Sequence, residues 1–490
     1  MTRSRIAVIG SGPTGMLTST KLSKYGFDVT LFEAGNFESE GKILKRNSYQ
    51  FSAPSAIPSD VHRYGGGSNL WYGRYGEFLD SDFDSNQSRD RSWPFGKKEL
   101  SKFYKEAFEA LGDDNLLDSE FIDQNFQDLK NLLPKDFQIR LFRFATPNKL
   151  KNECNNLVNQ NKMKIYFDSN CLRIDKEDLE SEKYSITFVN SSGESKVQVF
   201  DAVVVAGGAL QSAGILLRSP ELLNFPGSRF VGRGLMEHFD GFVGDLVIKG
   251  RTNILKAFSL TRWRKIRGST LNVGIGIQLC DEISKLHNLP GMQLEICMKR
   301  TKYWFSHFAD SKSRVCNWIF FFERVVKKGF WSIKQFFLKI QGKSAYSIWL
   351  KGEEYLNEDS SVQLDQNDPD KFKLIYAHKI SKKTSDEIKR GLKIFGQVLA
   401  ENDLGQFKLD SSVLNPENLY LGPNWHPMGT LRMGSSVENS VCDENLKLHG
   451  TSSVYIASAA VFPTGSSSNP TATALALSCR LASHLNTSIK

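Results

Sequence analysis

Residues 6–15 are Ile-Ala-Val-Ile-Gly-Ser-Gly-Pro-Thr-Gly, a short apolar run that leads into a glycine-rich turn. A helical pattern follows over residues 16–25, Gly26 ends it, and a second apolar run finishes at Glu33. An apolar run, a GxGxxG turn, a helix and a second run ending in an acidic residue predict a βαβ unit that binds a dinucleotide.

Each residue of this turn has a physical reason to be there. Gly10 allows the tight turn, Gly12 lets the backbone approach a pyrophosphate, and Gly15 lets the helix pack closely on the sheet. The carboxylate of Glu33 can bond a ribose hydroxyl. This setting favours a dinucleotide site over a glycine-rich turn without a ligand. The predicted contacts are Gly10, Gly12, Pro13, Thr14, Gly15 and Glu33.

The chain has 490 residues, enough for two or three domains, and an ordinary globular composition. No run approaches the roughly 20 apolar residues that cross a bilayer, and the N-terminus does not have the pattern of a signal peptide. The seven cysteines contain no CxxC pair. We therefore expect a cytoplasmic protein without a structural zinc or a disulfide framework.

The net charge of +9 is concentrated in one segment. Residues 299–343 hold eleven Lys or Arg and two acidic residues, and 11 − 2 = 9 equals the whole excess. The rest of the chain is close to neutral, which argues against a nucleic-acid-binding protein. The segment also carries twelve aromatic residues, and its apolar residues recur at helical spacing. Two interpretations stay open: a helix lying on an anionic membrane surface, or a helix packed on the core.

A second glycine-rich loop spans residues 63–73, Arg-Tyr-Gly-Gly-Gly-Ser-Asn-Leu-Trp-Tyr-Gly. Three consecutive glycines bring the backbone close to something bulky, with Ser68, Asn69 and Trp71 beside it. The alternative is a flexible surface loop. The flanking aromatic residues favour a packed loop.

Two runs near the C-terminus hold the candidate catalytic residues. His426 lies in NWHPMGTLRMG, a turn rich in glycine and proline, and Asn469 lies in VFPTGSSSNPTAT before an apolar helix. Asn469 is a favourable N-cap and Pro470 a favourable first helical residue, so the helix N-terminus suits a site where negative charge develops. We expect His426 and Asn469 to face one reaction centre. The alternatives are a turn histidine bonded to backbone and a simple N-cap, and Asn469 can serve as both.

The β pattern returns over residues 163–206, where Gly207 opens another βα turn, and His238 is expected to be structural. Eight motifs then occur in order: GSGPTG with Glu33, YGGGSNLWYG, WPFGKKELSKFYKEA, AGGALQSAGILLRS, VGRGLMEH, NEDSSVQL, HPMGTLRMG, and VFPTGSSSNPTATALALSCRLASHL. With these motifs the chain resembles the glucose–methanol–choline (GMC) oxidoreductases over nearly its full length.

The resemblance implies an α/β protein with a Rossmann-type FAD-binding domain built from residues 1–75, 145–240 and 437–490. Residues 76–144 would connect the domains. Residues 241–436 would form a substrate domain with an antiparallel β-sheet flanked by helices.

The resemblance also assigns roles to residues. His426 and Asn469 match the two catalytic positions of the family, and Leu172 matches a backbone contact to adenine. The remaining cofactor contacts that it implies are Gly66, Gly67, Ser68, Asn69, Trp71, Gly207, Ser458, Ala459, Pro470 and Thr471.

This sequence departs from the family in two places. Leu70 occupies the position where some members attach FAD covalently through His, so non-covalent FAD is expected. The run 457–460, Ala-Ser-Ala-Ala, replaces an Asp-containing pattern, which weakens the case for Ser458.

The implied function is FAD-dependent oxidation of a CH–OH group, with His426 as base and the flavin N5 as hydride acceptor. The loop with Trp71 resembles that of sugar-oxidising, pyranose oxidase-like members, which favours a secondary hydroxyl of a sugar or glycoside. The alternatives are a lipid-like or polycyclic alcohol at a membrane surface, and a flavin-binding subunit without catalysis. An NAD-dependent dehydrogenase shares only the first motif. The electron acceptor stays open among oxygen, a quinone and a protein carrier.

Overall fold

The structure is a computed structural model. It describes residues 3–37, 42–43, 49–51, 61–71, 73–84, 93–112, 133–145, 148–178, 181–249, 264–266, 269–271, 273–297, 333, 336–338, 340–368, 373–414, 422–423 and 426–489.

The described strands, in chain order, are β1 Arg5–Ile9, β2 Asp28–Phe32, β3 Lys42–Ile43, β4 Tyr49–Phe51, β5 Val61–His62, β6 Arg74–Tyr75, β7 Phe137–Phe144, β8 Met163–Tyr166, β9 Asn170–Lys176, β10 Tyr184–Val189, β11 Ser195–Phe200, β12 Ala202–Val205, β13 Phe239–Lys249, β14 Arg264–Ile266, β15 Ser269–Leu271, β16 Val273–Leu279, β17 Met292–Cys297, β18 Lys343–Gly352, β19 Ser361–Leu364, β20 Leu374–Ala377, β21 Gln406–Leu409, β22 Gly422–Pro423 and β23 Val454–Ile456. The described α-helices are α1 Pro13–Lys24, α2 Asp80–Phe83, α3 Ser101–Ala110, α4 Lys149–Asn159, α5 Gly208–Leu217, α6 Asp281–Leu286, α7 Lys382–Glu401, α8 Ser411–Leu414 and α9 Thr471–Ser488.

A five-stranded parallel sheet forms the first core, in the order β23-β12-β1-β2-β8. Its central strands are continuous apolar runs because both of their sides are packed: α1 contacts β1 and β2, and Phe32 of β2 contacts Phe188 of β10 and Phe200 of β11. In β1, Val8 pairs with Val204 on one side and with Leu31 on the other. Parallel strands end at one edge of the sheet, so Gly10 after β1, Gly207 after β12 and Ser458 after β23 come together there. The expected Rossmann-type domain is confirmed.

An eight-stranded sheet forms the second core, in the order β21-β13-β18-β17-β16-β7-β6, with β22 also paired to β13. Neighbouring strands in this sheet are antiparallel. The helix α7 buries one apolar face, including Ile388, Leu392 and Phe395, in a cluster that also contains Leu350 of β18. This is the expected antiparallel sheet flanked by a helix.

Residues 76–144, expected to form a connecting, mixed segment, contribute to both cores. The strand β7 pairs with β16 in the second sheet, and α3 packs its buried face on α9 in the first core. The expected boundary at residue 240 falls inside β13. These pairings join residues more than 100 positions apart, so local sequence patterns cannot predict them.

Among the described residues, none of the helices is long and apolar enough to cross a membrane. The same part of the chain contains no group of three or more His, Cys, Asp or Glu arranged to hold a metal ion. Of the basic aromatic segment 299–343, only residues 333, 336–338 and 340–343 are described.

Close packing of α1 on the first sheet predicts the effect of Gly15→Ala. A Cβ added at Gly15 would lie 1.9 Å from the carbonyl oxygen of Gly10, so the helix would have to move. Such overpacking costs about 1–3 kcal/mol. We expect a lower urea midpoint for unfolding, measured by circular dichroism on the cofactor-free protein.

Gly12→Ala is the matched control. A Cβ at Gly12 has nothing within 4 Å, and its φ of −61° suits any residue. Its midpoint should equal that of the unsubstituted chain. Equal midpoints for both variants would contradict the role given to Gly15.

Candidate active site

Two glycine-rich loops meet at the edge of the parallel sheet. Gly10 has a φ of +102°, and a Cβ there would lie 2.7 Å from the carbonyl oxygen of Ala206. A Cβ on Gly66 would lie 3.1 Å from the Cα of Gly12, so the backbones of the two loops touch. Only glycine fits both positions, while the space beside Gly12 stays open. Gly67, Pro13 and Thr14 continue these loops.

Two helices begin beside these loops without a side-chain cap. Gly12 is the N-cap of α1, and Pro470 is the N-cap of α9, which starts at Thr471. The expectation that Asn469 caps this helix is therefore wrong by one residue, and its side chain is directed elsewhere. Uncapped N-terminal N–H groups carry partial positive charge and suit a phosphate or an electron-rich ring. The edge thus fits a dinucleotide with a flat ring, as FAD is.

Side chains of the second loop brace its own backbone. Ser68 Oγ donates to the carbonyl of Gly65 at 2.6 Å, and Asn69 Nδ2 donates to that of Gly66 at 2.8 Å. Lys151 Nζ donates to Asn69 Oδ1 at 2.6 Å. These bonds hold the loop in shape. Trp71 packs on the first core, whereas Leu70 is 44% exposed.

The other predicted cofactor contacts lie on the same side of the sheet or near it. Glu33 directly follows β2, and its carboxylate accepts hydrogen bonds from the backbone N–H groups of Ser11 at 3.0 Å and Gly35 at 2.8 Å. Leu172 lies at a bulge in β9, and its carbonyl accepts Arg218 Nε at 2.9 Å. Ser458 accepts the N–H of Ala460 at 3.2 Å and leads into the turn containing Ala459. Their contacts to a cofactor stay predictions.

The structure brings His426 and Asn469 together. Asn469 Nδ2 lies 3.3 Å from His426 Nε2, although the two residues are 43 positions apart. Asn469 is buried, and His426 is partly buried. The two residues expected to share a reaction centre are therefore neighbours.

A lysine that sequence reasoning missed completes this group. Lys351 of β18 is 3% exposed, and its Nζ donates to Asn469 Oδ1 at 2.7 Å. Burial lowers the pKa of Lys351 to about 7, helped by Arg74 and opposed by Asp240 and Glu295. Lys351 was not predicted as a site residue, because the apolar run that predicted this strand ended at Leu350.

These contacts fix the protonation of His426. A lysine ammonium can only donate, so the Asn469 oxygen faces Lys351 and its NH₂ faces His426 Nε2, which must accept. The proton of the neutral ring is then on Nδ1, 3.1 Å from Nδ1 of His238. His238, expected to be structural, thus contacts the candidate base directly.

Burial also keeps both rings neutral. It lowers the pKa of His426 well below 6.5, and the charges of Lys351, His238 and Arg74 act in the same direction. Burial lowers the pKa of His238 to about 3, again with help from Lys351. A neutral His426 whose Nε2 carries no proton can act as a proton acceptor.

Two buried carboxyl groups hold the backbone behind His426. Glu237 Oε2 accepts the N–H of His426 at 2.7 Å, and Glu354 Oε2 accepts the N–H of Glu237 at 2.9 Å. Burial raises the pKa of Glu237 to about 7. His378 Nε2 lies 2.7 Å from Glu354 Oε2. Burial opposes charge on His378, but Glu354 outweighs it and raises the pKa of His378 to about 9.

A cavity of about 570 Å³ reaches the loop that precedes Asn469. Ser467, two residues before Asn469, lines it, and so do Asp82 and Gly291. Much of the remaining lining is polar, namely Ser81, Asp84, Gln278, Asp281, Ser284, Lys285 and Asn288. The cavity can therefore hold a molecule with several hydroxyl groups.

Comparisons with known proteins agree with this geometry. Residues 357–478 match the family model described as GMC oxidoreductase, and residues 8–38 match the NAD(P)-binding Rossmann-like domain. A comparison with curated proteins gives no match.

Several solved structures share the fold. A pyridoxine 4-oxidase from Mesorbium loti is 17% identical, with a TM-score of 0.59 over 98% of this chain and 99% of that one. A fungal aryl-alcohol oxidase is 11% identical, with a TM-score of 0.61 over 99% of both chains. A formate oxidase variant from Aspergillus oryzae RIB40, studied for FAD modification, is 13% identical, with a TM-score of 0.58 over 99% of this chain and 98% of that one. At these identities the likeness shows the fold.

The His378–Glu354 pair predicts a pH-dependent loss of stability in His378→Gln. Because the folded-state pKa is raised, the pair's contribution is fully present below the ordinary value of 6.5 and is lost as pH rises through about 9. The rise from 6.5 to about 9 corresponds to roughly 3 kcal/mol. Urea unfolding should show a large deficit at pH 6 and little deficit at pH 9.5. His287→Gln, outside this network, serves as control, and a deficit independent of pH would contradict the assignment.

Proposed function

Because the chain belongs to the GMC oxidoreductases, which are FAD-dependent enzymes acting on alcohols, we propose that it oxidises a CH–OH group with His426 as the base and Asn469 as its partner. The observation that carries this assignment is the 3.3 Å contact between His426 Nε2 and Asn469 Nδ2. The oriented neutral imidazole and the buried amide form a site for a hydroxyl group.

Bound FAD would supply the acceptor for the hydride of the alcohol carbon. His426 takes the hydroxyl proton at Nε2, which is unprotonated in the tautomer that Asn469 imposes. The amide NH₂ of Asn469 donates to the alcohol oxygen and stabilises the negative charge that builds there. Loss of one proton and one hydride converts the CH–OH group to a carbonyl. The N-terminus of α9, directly after Asn469, offsets negative charge on this side of the site.

The fit to FAD rests on the open space at Gly12, the touching glycine-rich loops and the two uncapped helices. Glu33 would bond the ribose, and the second glycine-rich loop would lie along the flat ring. Leu70 offers no nucleophile at the position where some relatives link the cofactor. The cofactor would therefore be held without a covalent bond.

A sugar or glycoside secondary hydroxyl is the proposed substrate group. Support comes from the cavity beside Ser467, whose lining includes Asp84, Asp281 and Asn288. Carboxylates and amides bind hydroxyl groups well.

A second candidate, a lipid-like alcohol met at a membrane surface, rests on a different observation. Ile333, Phe336, Phe337 and Ile340 follow helical i, i+3, i+4 and i+7 spacing, and each is more than half exposed. Lys334, Lys339 and Lys343 lie among them in the sequence. An exposed apolar stripe with adjacent lysines suits an anionic bilayer surface.

Anaerobic mixing with a panel of sugars and alcohols, followed by the flavin absorbance band, tests the reaction. A sugar should bleach the band, and readmitted oxygen should then show whether oxygen is the electron acceptor. His426→Ala should keep bound FAD and bleach slower by about two or more orders of magnitude, because the base is lost. Normal bleaching in that variant would overturn the assignment of His426, and no bleaching by any alcohol in the unsubstituted protein would favour a non-catalytic flavin subunit.

Flotation with liposomes tests the membrane candidate. At low salt the protein should float with vesicles of phosphatidylcholine and phosphatidylserine, and less with phosphatidylcholine alone. A double variant, Phe336→Ser with Phe337→Ser, should lose binding, because it removes two exposed apolar rings. Val197→Ser, a change at another exposed apolar residue, should float as before. Flotation that the double variant leaves intact would exclude this stripe as the contact.

A further inference from the structure

Lys351 is a charged residue in the interior of a β-sheet. It lies near the end of β18, where it pairs with Gln293 of β17 and Asp240 of β13. Burial of a lysine is costly unless a specific partner receives its protons. The recorded acceptor is the side-chain oxygen of Asn469, at 2.7 Å. A residue that serves only packing would be better replaced by an apolar side chain.

The hydrogen bond decides which end of Asn469 faces the substrate. An amide side chain can turn by 180° and exchange its oxygen and nitrogen with little steric change. With Lys351 donating to the oxygen, the NH₂ end points towards His426 Nε2. If the amide turned, its oxygen would face His426 Nε2, which would then have to carry the proton and could not act as a base.

We propose that Lys351 is a positioning residue for the alcohol oxidation: it donates to Asn469 Oδ1 and so directs the amide NH₂ group towards His426 Nε2. This inference rests on the proposed function of His426. It assigns a role to a residue that is neither a predicted cofactor contact nor part of the cavity lining.

Charge on Lys351 and charge on His426 oppose each other. The Lys351 charge is, after burial, the largest cause of the lowered pKa of His426. Other charged groups near the lysine are Arg74 of β6, Glu295 of β17 and Asp240 of β13, and Arg74 forms an ion pair with Glu295. Since Lys351 loses its proton near pH 7, His426 becomes the stronger base above that pH. Neutral Lys351 can still donate to Asn469 Oδ1, as in the observed contact.

The pH dependence of flavin reduction therefore carries the signature of Lys351. With the substrate that bleaches the flavin fastest, the rate constant of the unsubstituted protein should rise as pH increases through about 7. Lys351→Met removes both charge and donor. The rate constant of this variant should not rise with pH. At pH 8 it should be about tenfold or more below that of the unsubstituted protein, because the variant lacks one hydrogen bond from a charged group. Lys351→Gln has a donor without a charge, so its rate should exceed that of Lys351→Met while staying flat with pH.

Stability supplies a readout that needs no substrate. The folded-state pKa of Lys351 is lowered from 10.5 to about 7, so the charged form destabilises the fold, and this cost disappears as pH rises from 7 towards 10.5. The urea midpoint of Lys351→Met, compared with that of the unsubstituted protein, should be most favourable at pH 6. This advantage should be lost by pH 10. Lys343→Met, on the same strand, should change neither stability nor the pH profile.

The outcomes distinguish a failure of the role given to Lys351 from a failure of the proposed function of His426. If His426→Ala stops flavin reduction while Lys351→Met keeps the rate and pH profile of the unsubstituted protein, the role of Lys351 is overturned and the proposed function stands. If Lys351→Met loses the same stability at pH 6 and pH 10, Lys351 is structural. If His426→Ala reduces the flavin normally, the proposed function fails, and the role of Lys351 falls with it.

Discussion

The side chain of Asn469 is the link on which the arrangement of this site depends. It precedes a helix of the first core, accepts a hydrogen bond from a lysine of the second core, and donates to a histidine on the loop between them. One amide has one oxygen and one NH₂ group, so fixing either end fixes the other. Had Asn469 capped its own helix, its oxygen would be occupied, and neither Lys351 nor His426 would have this partner. The side chain of Asn469 thus joins the two domains at the reaction centre.

Much of the fold was predictable because its signals are local. Glycine geometry and apolar periodicity predicted the βαβ unit that ends at Glu33 and four of the five strands of the first sheet, but only β18 of the second sheet. The pairing of His426 with Asn469 was predicted from motifs, whereas the capping role of Asn469 was not correct, because a tertiary partner outcompeted the local one. Lys351 could not be found: a lysine at the end of an apolar run is typical of an exposed strand end. The strand β7 was missed as part of the second sheet because its partner β16 lies far along the chain.

Several buried groups at or near His426 have pKa values that are shifted from their ordinary values. Burial favours the neutral forms of Lys351, His238, His426 and Glu237. Such clusters concentrate at sites of chemistry, and their desolvation works against folding. His378 compensates locally, because its charge lies beside Glu354. The site therefore contains several ionisable groups whose replacement by apolar residues would make the folded protein more stable.

The uncapped helices α1 and α9 have a consequence for the protein in the cell. Their first N–H groups lack side-chain partners, so a phosphate or ring that binds there supplies contacts that the chain itself does not make. A ligand that binds only the native state stabilises it by mass action, in proportion to the logarithm of its free concentration. Newly synthesised chains would then depend on cofactor supply to escape proteolysis. The abundance of this protein in the cell would then depend on the concentration of free FAD as well as on the rate of its synthesis.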